Sequence, residues 1–431
     1  MTSRFIEKIH DNARKRPEHI AYFTSREGES ITYGELDSWS DSVAAFLSAN
    51  APTGKPVVVY GHKSPLMLVC FIAAAKAGLP YAPVDIAYPA DRVNDILSQI
   101  DHPLVISLAD DGFSGDPSLA ALLVDLSQIQ IACRSNATWD PAHWISGTTP
   151  FYLLFTSGST GRPKGVQMPS QCVDAFMDYF ITLFPQHTDG VSFNRVPYTF
   201  DVSLFDIIAG LASGYTLFAL ETEDEQSMRA TFDALSKSGL TTWISTPSFI
   251  EMCLADASFN ASLLPKLDNI ILCGEVFRNA TALKLLERFP DARVLNTYGP
   301  TETQAVTDIV VDTQLATTVN PLPVGYLNGG VRAIVRVPES GDELPQGEIG
   351  EIYLAGNTVS AGYFGRPDLT QAVFSEVLDA EGSTERCYKT GDKGYIDREG
   401  RLFCLGRLDF QVKLNGFRVE LADVEQALVR V

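Results

Sequence analysis

Basic residues are scarce in this 431-residue chain: 33 Lys and Arg stand against 53 Asp and Glu, a formal charge of −20. That deficit argues against nucleic acid or an anionic membrane as the main partner. Long apolar runs are missing as well. No stretch reaches 18 consecutive apolar residues, and the opening MTSRFIEKIHDNARKRPEHIAYF holds no segment of signal-peptide type, so neither membrane insertion nor a leader is expected. The seven cysteines (Cys70, Cys133, Cys172, Cys253, Cys273, Cys387, Cys404) are scattered, with no Cys-x-x-Cys spacing. This argues against a disulfide framework and a zinc site and fits a reducing, cytoplasmic setting. Low-complexity tracts and repeats of solenoid period are absent too.

What is present is ordinary globular material, 45% hydrophobic and 20% charged, in a chain long enough for two or more packed units. Apolar or β-branched runs recur at PVVVYG (56–61), PLVISL (103–108), FYLLFTS (151–157), TTWIST (241–246) and NIILCGE (269–275). Helical patterns lie between them, which implies α/β units with parallel sheets covered on both faces. In YPADRVNDILSQI, Pro89 suits a first helical turn and apolar residues return at 93, 96, 97 and 100. In NATALKLLERF, Asn279 is the expected N-cap. After about residue 320 Gly- and Pro-rich turns separate short strands, indicating a smaller, mostly β unit; a last helical pattern starts near Leu421.

The stretch YLLFTSGSTGRPKG (152–165) ends an apolar run in hydroxyls, glycines and one lysine. Backbone N–H groups of such a loop can converge on an anion, with Lys164 neutralising charge, so it reads as a phosphate cradle or as a flexible turn. Its spacing is neither the Walker A pattern nor the Gly-x-Ser-x-Gly elbow of an esterase. A serine-nucleophile amidase would leave the remaining motifs without a purpose.

The loop resembles the phosphate loop of the adenylate-forming superfamily, which includes acyl-CoA synthetases, luciferases and peptide-synthetase adenylation domains. Further motifs of that superfamily follow in order: ITYGELD (31–37), KAGLPYAPVDIAYPADR (76–92), FDVSLFDI (200–207), NTYGPTE (296–302), GEIGEIYLAG (347–356), YKTGD (388–392) and GRLDFQVKLNGFRVE (406–420). The resemblance implies a large N-terminal adenylation core over 1–408, with two α/β subdomains and a smaller β-barrel-like one at roughly 320–408. Residues 409–431 would be the hinge and the start of a C-terminal domain that is otherwise largely absent. That domain carries the family's reactive lysine, so the chain is expected to bind ATP and amino acid but to adenylate slowly.

The resemblance also assigns residues. Thr156, Ser157, Gly158, Ser159, Thr160, Gly161 and Lys164 would hold the β and γ phosphates of ATP. Asn296, Thr297, Tyr298 and Gly299 would line the nucleotide site, with Tyr298 near adenine. Thr301 would contact the α-phosphate and Glu302 would help hold Mg2+; with Lys164 these form the catalytic set. Two anions meet in the reaction, so cations and donors are needed where charge develops. Asp392 would anchor the ribose, Arg407 would lie near ribose and phosphate, and Asp409 would be the hinge.

For the substrate, Asp201 matches the aspartate that pairs with an amino acid's ammonium, a carboxylate costly to bury without a partner; the other reading makes it a helix N-cap. The rest of the wall would be Val202, Phe205, Ile244, Ile271, Cys273, Thr297 and Ala305, apolar with no second charge. A small neutral amino acid is implied. Residues 245–302 and 401–428 resemble D-alanine:carrier protein ligases, with Cys273 at the position where those enzymes have a cysteine that crowds the pocket. Phe205 and Ala305 reshape the pocket relative to that group, and one methylene is worth only about 1–3 kcal/mol. The expected activity is therefore ATP-dependent formation of aminoacyl-AMP, D-alanine favoured, for transfer to a phosphopantetheinylated carrier protein. An adenylation domain of a nonribosomal peptide synthetase taking L-alanine or another small apolar residue stays open, as does a core that binds nucleotide and amino acid without turnover. The resemblance begins almost at Met1, which makes a stand-alone ligase the simpler reading.

Overall fold

The apolar runs become neighbouring strands. In the computed structural model, which describes residues 2–26, 29–157 and 162–409 and the backbone of strands Gln411–Leu414 and Phe417–Glu420, a seven-stranded sheet is ordered Gly362–Tyr363, Lys164–Pro169, Pro150–Thr156, Tyr81–Asp85, Val57–Gly61, Leu104–Ser107, Leu122–Val124. Its last five strands are parallel, and the first two pair antiparallel at the edge. The helix Pro65–Lys76 is buried at every position but Leu66. Even Lys76 is covered, because its ammonium donates to the carboxylates of Asp37 (2.7 Å) and Asp41 (2.6 Å); a buried charge persists only when paired in this way.

A nine-stranded sheet is built around the parallel strands Ile20–Thr24, Thr216–Ala219, Val191–Phe193, Thr242–Ser245, Asn269–Leu272 and Arg293–Tyr298, with antiparallel strands at both edges. One apolar cluster contains Tyr81 and Tyr152 of the first sheet and Ile244, Ile271 and Leu295 of the second. The two α/β units thus share a core, each large side chain in it contributing about 1.5–3 kcal/mol. The third sheet is five-stranded and antiparallel: Val331–Arg336, Gly350–Gly356, Thr384–Ile396 and Phe374–Leu378 in order, with Leu402–Arg407 added on Thr384–Ile396. Its apolar cluster takes in Tyr298, so the end of the second sheet's strand Arg293–Tyr298 packs into the β unit.

Two helix starts differ from the sequence reading. Pro89 is the N-cap, outside the helix Ala90–Ile100, although Val93, Ile96, Leu97 and Ile100 are buried as the pattern requires. Asn279 is the first residue of the helix Asn279–Arg288 rather than its cap, which is Arg278. The Asn279 amide instead donates to the carbonyls of Ala316 (2.8 Å) and Val319 (2.6 Å), so tertiary partners outcompete the local capping bond. Gly158, Ser159, Thr160, Gly161 and the helical pattern from Leu421 lie outside the described residues.

Candidate active site

The motif NTYGPTE runs off the C-terminal end of the strand Arg293–Tyr298 into a tight turn. Gly299 is required there, since a Cβ would lie 1.8 Å from the carbonyl oxygen of Gln304. The turn faces a cavity of about 610 Å³ lined by Asn296, Thr297, Tyr298, Gly299, Asp392, Arg407 and Asp409, and also by Ser248, Glu275 and Arg278. Seven of the residues singled out from sequence therefore meet at one opening, drawn from the second and third sheets.

A polar chain holds one side of this cavity. Tyr298 donates its hydroxyl to Asp392 Oδ2 at 2.5 Å, and Arg407 Nη1 donates to Asp392 Oδ1 at 3.0 Å and to the Thr390 carbonyl at 2.6 Å. The rest of the guanidinium makes a fork on Asp409, at 2.9 and 2.5 Å. Burial and then the neighbouring Asp392 push the Tyr298 phenol well above the usual tyrosine range, so Tyr298 keeps its proton and stays a donor. Gly391, with φ +72°, lets the backbone turn beneath Arg407; a Cβ there would meet the guanidinium at 2.7 Å.

A second group lies between the first sheet and the turn. Glu302 is fully buried. Its Oε1 accepts from the Tyr363 hydroxyl at 2.7 Å and lies 3.6 Å from the Lys164 ammonium, which itself donates to Tyr363 at 3.1 Å. A cation and a phenol thus share one carboxylate oxygen. Nearby in sequence, the Thr156 hydroxyl at the end of the strand Pro150–Thr156 is buried without a hydrogen-bond partner among the described residues, a costly state unless one is supplied.

Asp201 is the first residue of the short 3-10 turn Asp201–Ser203, with Phe200 in the cap position, so the structure does not make Asp201 the N-cap. Its Oδ2 accepts instead from Thr301 Oγ1 at 2.6 Å. Val202, Phe205, Ile244, Ile271, Cys273 and Ala305 all belong to the apolar cluster shared by the two α/β units. None of these six lines the large cavity, while Thr297 does; its hydroxyl donates to the Leu272 carbonyl at 3.0 Å. The cavity and the apolar wall thus meet at the strand Arg293–Tyr298.

Sequence reasoning passed over Tyr363 and Glu275. Tyr363 sits in SAGYFGRP near Gly362 and Gly365, both with positive φ; that is a turn signal which hides a side chain aimed inward. Glu275 accepts from the Ser248 amide at 2.9 Å and pins the cavity's rim.

A family model described as "AMP-binding enzyme" matches residues 9–364. The chain belongs to this family. Relatives named D-alanine--D-alanyl carrier protein ligase, from Bacillus mycoides (strain KBAB4) and Bacillus thuringiensis (strain Al Hakam), are each 41% identical over 427 residues, covering 99% of this chain and 83% of theirs. Among solved structures, an NRPS protein containing adenylation and PCP domains superposes with a TM-score of 0.85 at 22% identity, over 99% of this chain and 72% of the other. The N-terminal subdomain of Klebsiella oxytoca NpsA, in complex with 3-hydroxybenzoyl-AMSN, does so at 0.79 and 20% identity, over 94% and 100%. At such identities the structural likeness establishes the AMP-binding enzyme fold. No helix among the described residues is long and apolar enough to cross a membrane.

Proposed function

We propose that this protein joins the carboxylate of a small neutral amino acid, D-alanine before others, to the α-phosphate of ATP and then passes the aminoacyl group to the phosphopantetheine thiol of a carrier protein in the cytoplasm. The observation that carries the reading is the 2.6 Å bond between Thr301 and Asp201. A carboxylate that would suit an ammonium stands beside a hydroxyl that would suit the reacting phosphate, and the proposed wall residues Val202, Phe205, Ile244, Ile271, Cys273 and Ala305 share one apolar cluster. The names of the 41%-identical relatives support D-alanine and the carrier protein.

In the reaction a substrate carboxylate oxygen forms a bond to the α-phosphorus, and the bond to the β-phosphate's bridging oxygen breaks, that oxygen leaving with the electron pair in pyrophosphate. Asp201 would hold the ammonium, Thr301 would donate to the α-phosphate, and Lys164 with Ser157 would meet the departing charge. The Thr156 hydroxyl, buried without a partner among the described residues, would fit a phosphate oxygen. Asp392 has lone pairs left for the ribose hydroxyls after accepting from Tyr298 and Arg407.

No cluster of three or more His, Cys, Asp or Glu able to hold a metal occurs among the described residues. A single buried carboxylate that also faces Tyr363 and Lys164 still fits Mg2+, which takes one or two protein oxygens together with substrate phosphates, and Glu302 would supply that oxygen. The ion would neutralise charge on the phosphates.

The test is amino-acid-dependent ATP–pyrophosphate exchange with D-alanine, L-alanine, glycine and L-serine side by side. A preference for D-alanine is expected. A preference for an L-amino acid would move the protein to peptide assembly, and ATP binding without any exchange would leave only a binding core.

A further inference from the structure

The apolar wall of the amino-acid site is carried by an uncommon backbone. The 3-10 turn Asp201–Ser203 passes through Leu204 into the π-helical segment Phe205–Gly210. π-helical turns are rare and are found frequently at functional sites. Val202 and Phe205 lie on this segment, and the next residue is a fully buried carboxylate, Asp206.

Asp206 is tied to the second sheet. One oxygen accepts from the Ser192 hydroxyl and the other from the Asn194 amide at 3.3 Å. The Asn194 side-chain oxygen, Oδ1, in turn accepts from the Lys63 ammonium at 3.1 Å and the Tyr198 hydroxyl at 2.9 Å. Lys63 follows the strand Val57–Gly61 of the first sheet, with φ +31°. It is held there by Tyr22, whose hydroxyl donates to its carbonyl at 2.7 Å. Its ammonium also donates to the Val196 carbonyl and lies 4.3 Å from the Tyr198 ring centre. One asparagine therefore couples an anion on the substrate segment to a cation from the other α/β unit. Burial pushes Asp206 up and Lys63 down, and their mutual attraction opposes both shifts.

Buried charged groups bridged in this way are weak as a source of stability, because apolar replacement of such groups is often neutral or better; the effect of the network is to fix one arrangement. We propose that Asp206 is a positioning residue: its bonds to Ser192 and Asn194, braced by Lys63, hold the turn that presents Val202 and Phe205 to the substrate, and so set which amino-acid side chains fit. This rests on the proposed function.

Asp206→Asn keeps the shape but sets an NH2 group against the Ser192 or Asn194 donor, and Lys63→Met removes the brace. In ATP–pyrophosphate exchange both variants are expected to raise KM for the amino acid at least tenfold. The ratio of kcat/KM between D-alanine and the one-methylene-larger D-2-aminobutyrate should change at least fivefold, with KM for ATP within twofold of the original. A fall in thermal midpoint with the ratio unchanged, or equal rises in both KM values, would overturn the inference. If Asp206→Asn does not fold, Ser192→Ala removes a single bond and should move the ratio two- to threefold in the same direction; an unmoved ratio there overturns it too. An unaltered chain that exchanges pyrophosphate with no amino acid would sink the proposed function and this inference with it, whereas an active chain with unmoved variants sinks the inference alone.

Discussion

Thr301 Oγ1 donates a 2.6 Å hydrogen bond to Asp201 Oδ2 across 100 residues of sequence. The two belong to different motifs, and the resemblance assigns them to different ligands. In this structure they hold each other; on the proposed function, the amino-acid ammonium would take Asp201 and free the Thr301 hydroxyl for phosphate. Binding of one substrate would thereby prepare the donor for the other.

Replacing Asp201 with Asn should remove the ammonium's counter-charge while keeping the shape. A hydrogen bond to a charged group is worth about 1.5–3 kcal/mol, so kcat/KM for the amino acid should fall about 10- to 150-fold with KM for ATP little changed. Exchange kinetics with each substrate varied in turn would show this, and an equal loss toward ATP would contradict the assignment.

The buried Glu302 oxygen depends on Tyr363. Tyr363→Phe deletes the donor without changing packing, and an under-satisfied buried carboxylate costs about 1–3 kcal/mol. Urea denaturation should register that loss, and the magnesium concentration for half-maximal exchange should shift. A variant as stable as the original, with unaltered magnesium dependence, would mean the bond is incidental.

Arg407 joins Asp392 to Asp409. Arg407→Lys keeps the charge but loses the planar fork. It should raise KM for ATP at least fivefold, and Arg407→Ala further still, with KM for the amino acid within twofold. Equilibrium binding of ATP by calorimetry provides a check independent of turnover.

Ile271 is fully buried in the apolar wall. Ile271→Ala should lower stability by about 2–5 kcal/mol and enlarge the site. Thermal unfolding measures the first effect. Relative exchange rates for D-alanine and D-valine measure the second, and the larger substrate should gain; no gain would place Ile271 away from the bound side chain.

Runs of residues adjacent in the chain were legible without coordinates. The runs at 57–61, 104–107 and 269–272 are buried strands in parallel pairs, and they could be read from sequence because a parallel sheet covered on both faces needs near-continuous apolar strands. NTYGPTE could be singled out because its glycine, hydroxyls and carboxylate are contiguous. Asn279 misled for the opposite reason: local capping preference is worth about 1 kcal/mol, and two carbonyls from a segment 37 and 40 residues away outbid it.

By itself, then, the sequence determined the alternation of strands and helices, the acidic balance and the short polar motifs, all set by neighbours along the chain. Tertiary structure alone decided that Tyr363 reaches Glu302, that Arg407 bridges Asp392 and Asp409, and that Lys63 and Asp206 meet through Asn194. Such pairings depend on burial. Only when water is removed does an unpartnered charge become expensive enough to select one distant partner over another, and the linear chain does not record which side chains will lose their water together.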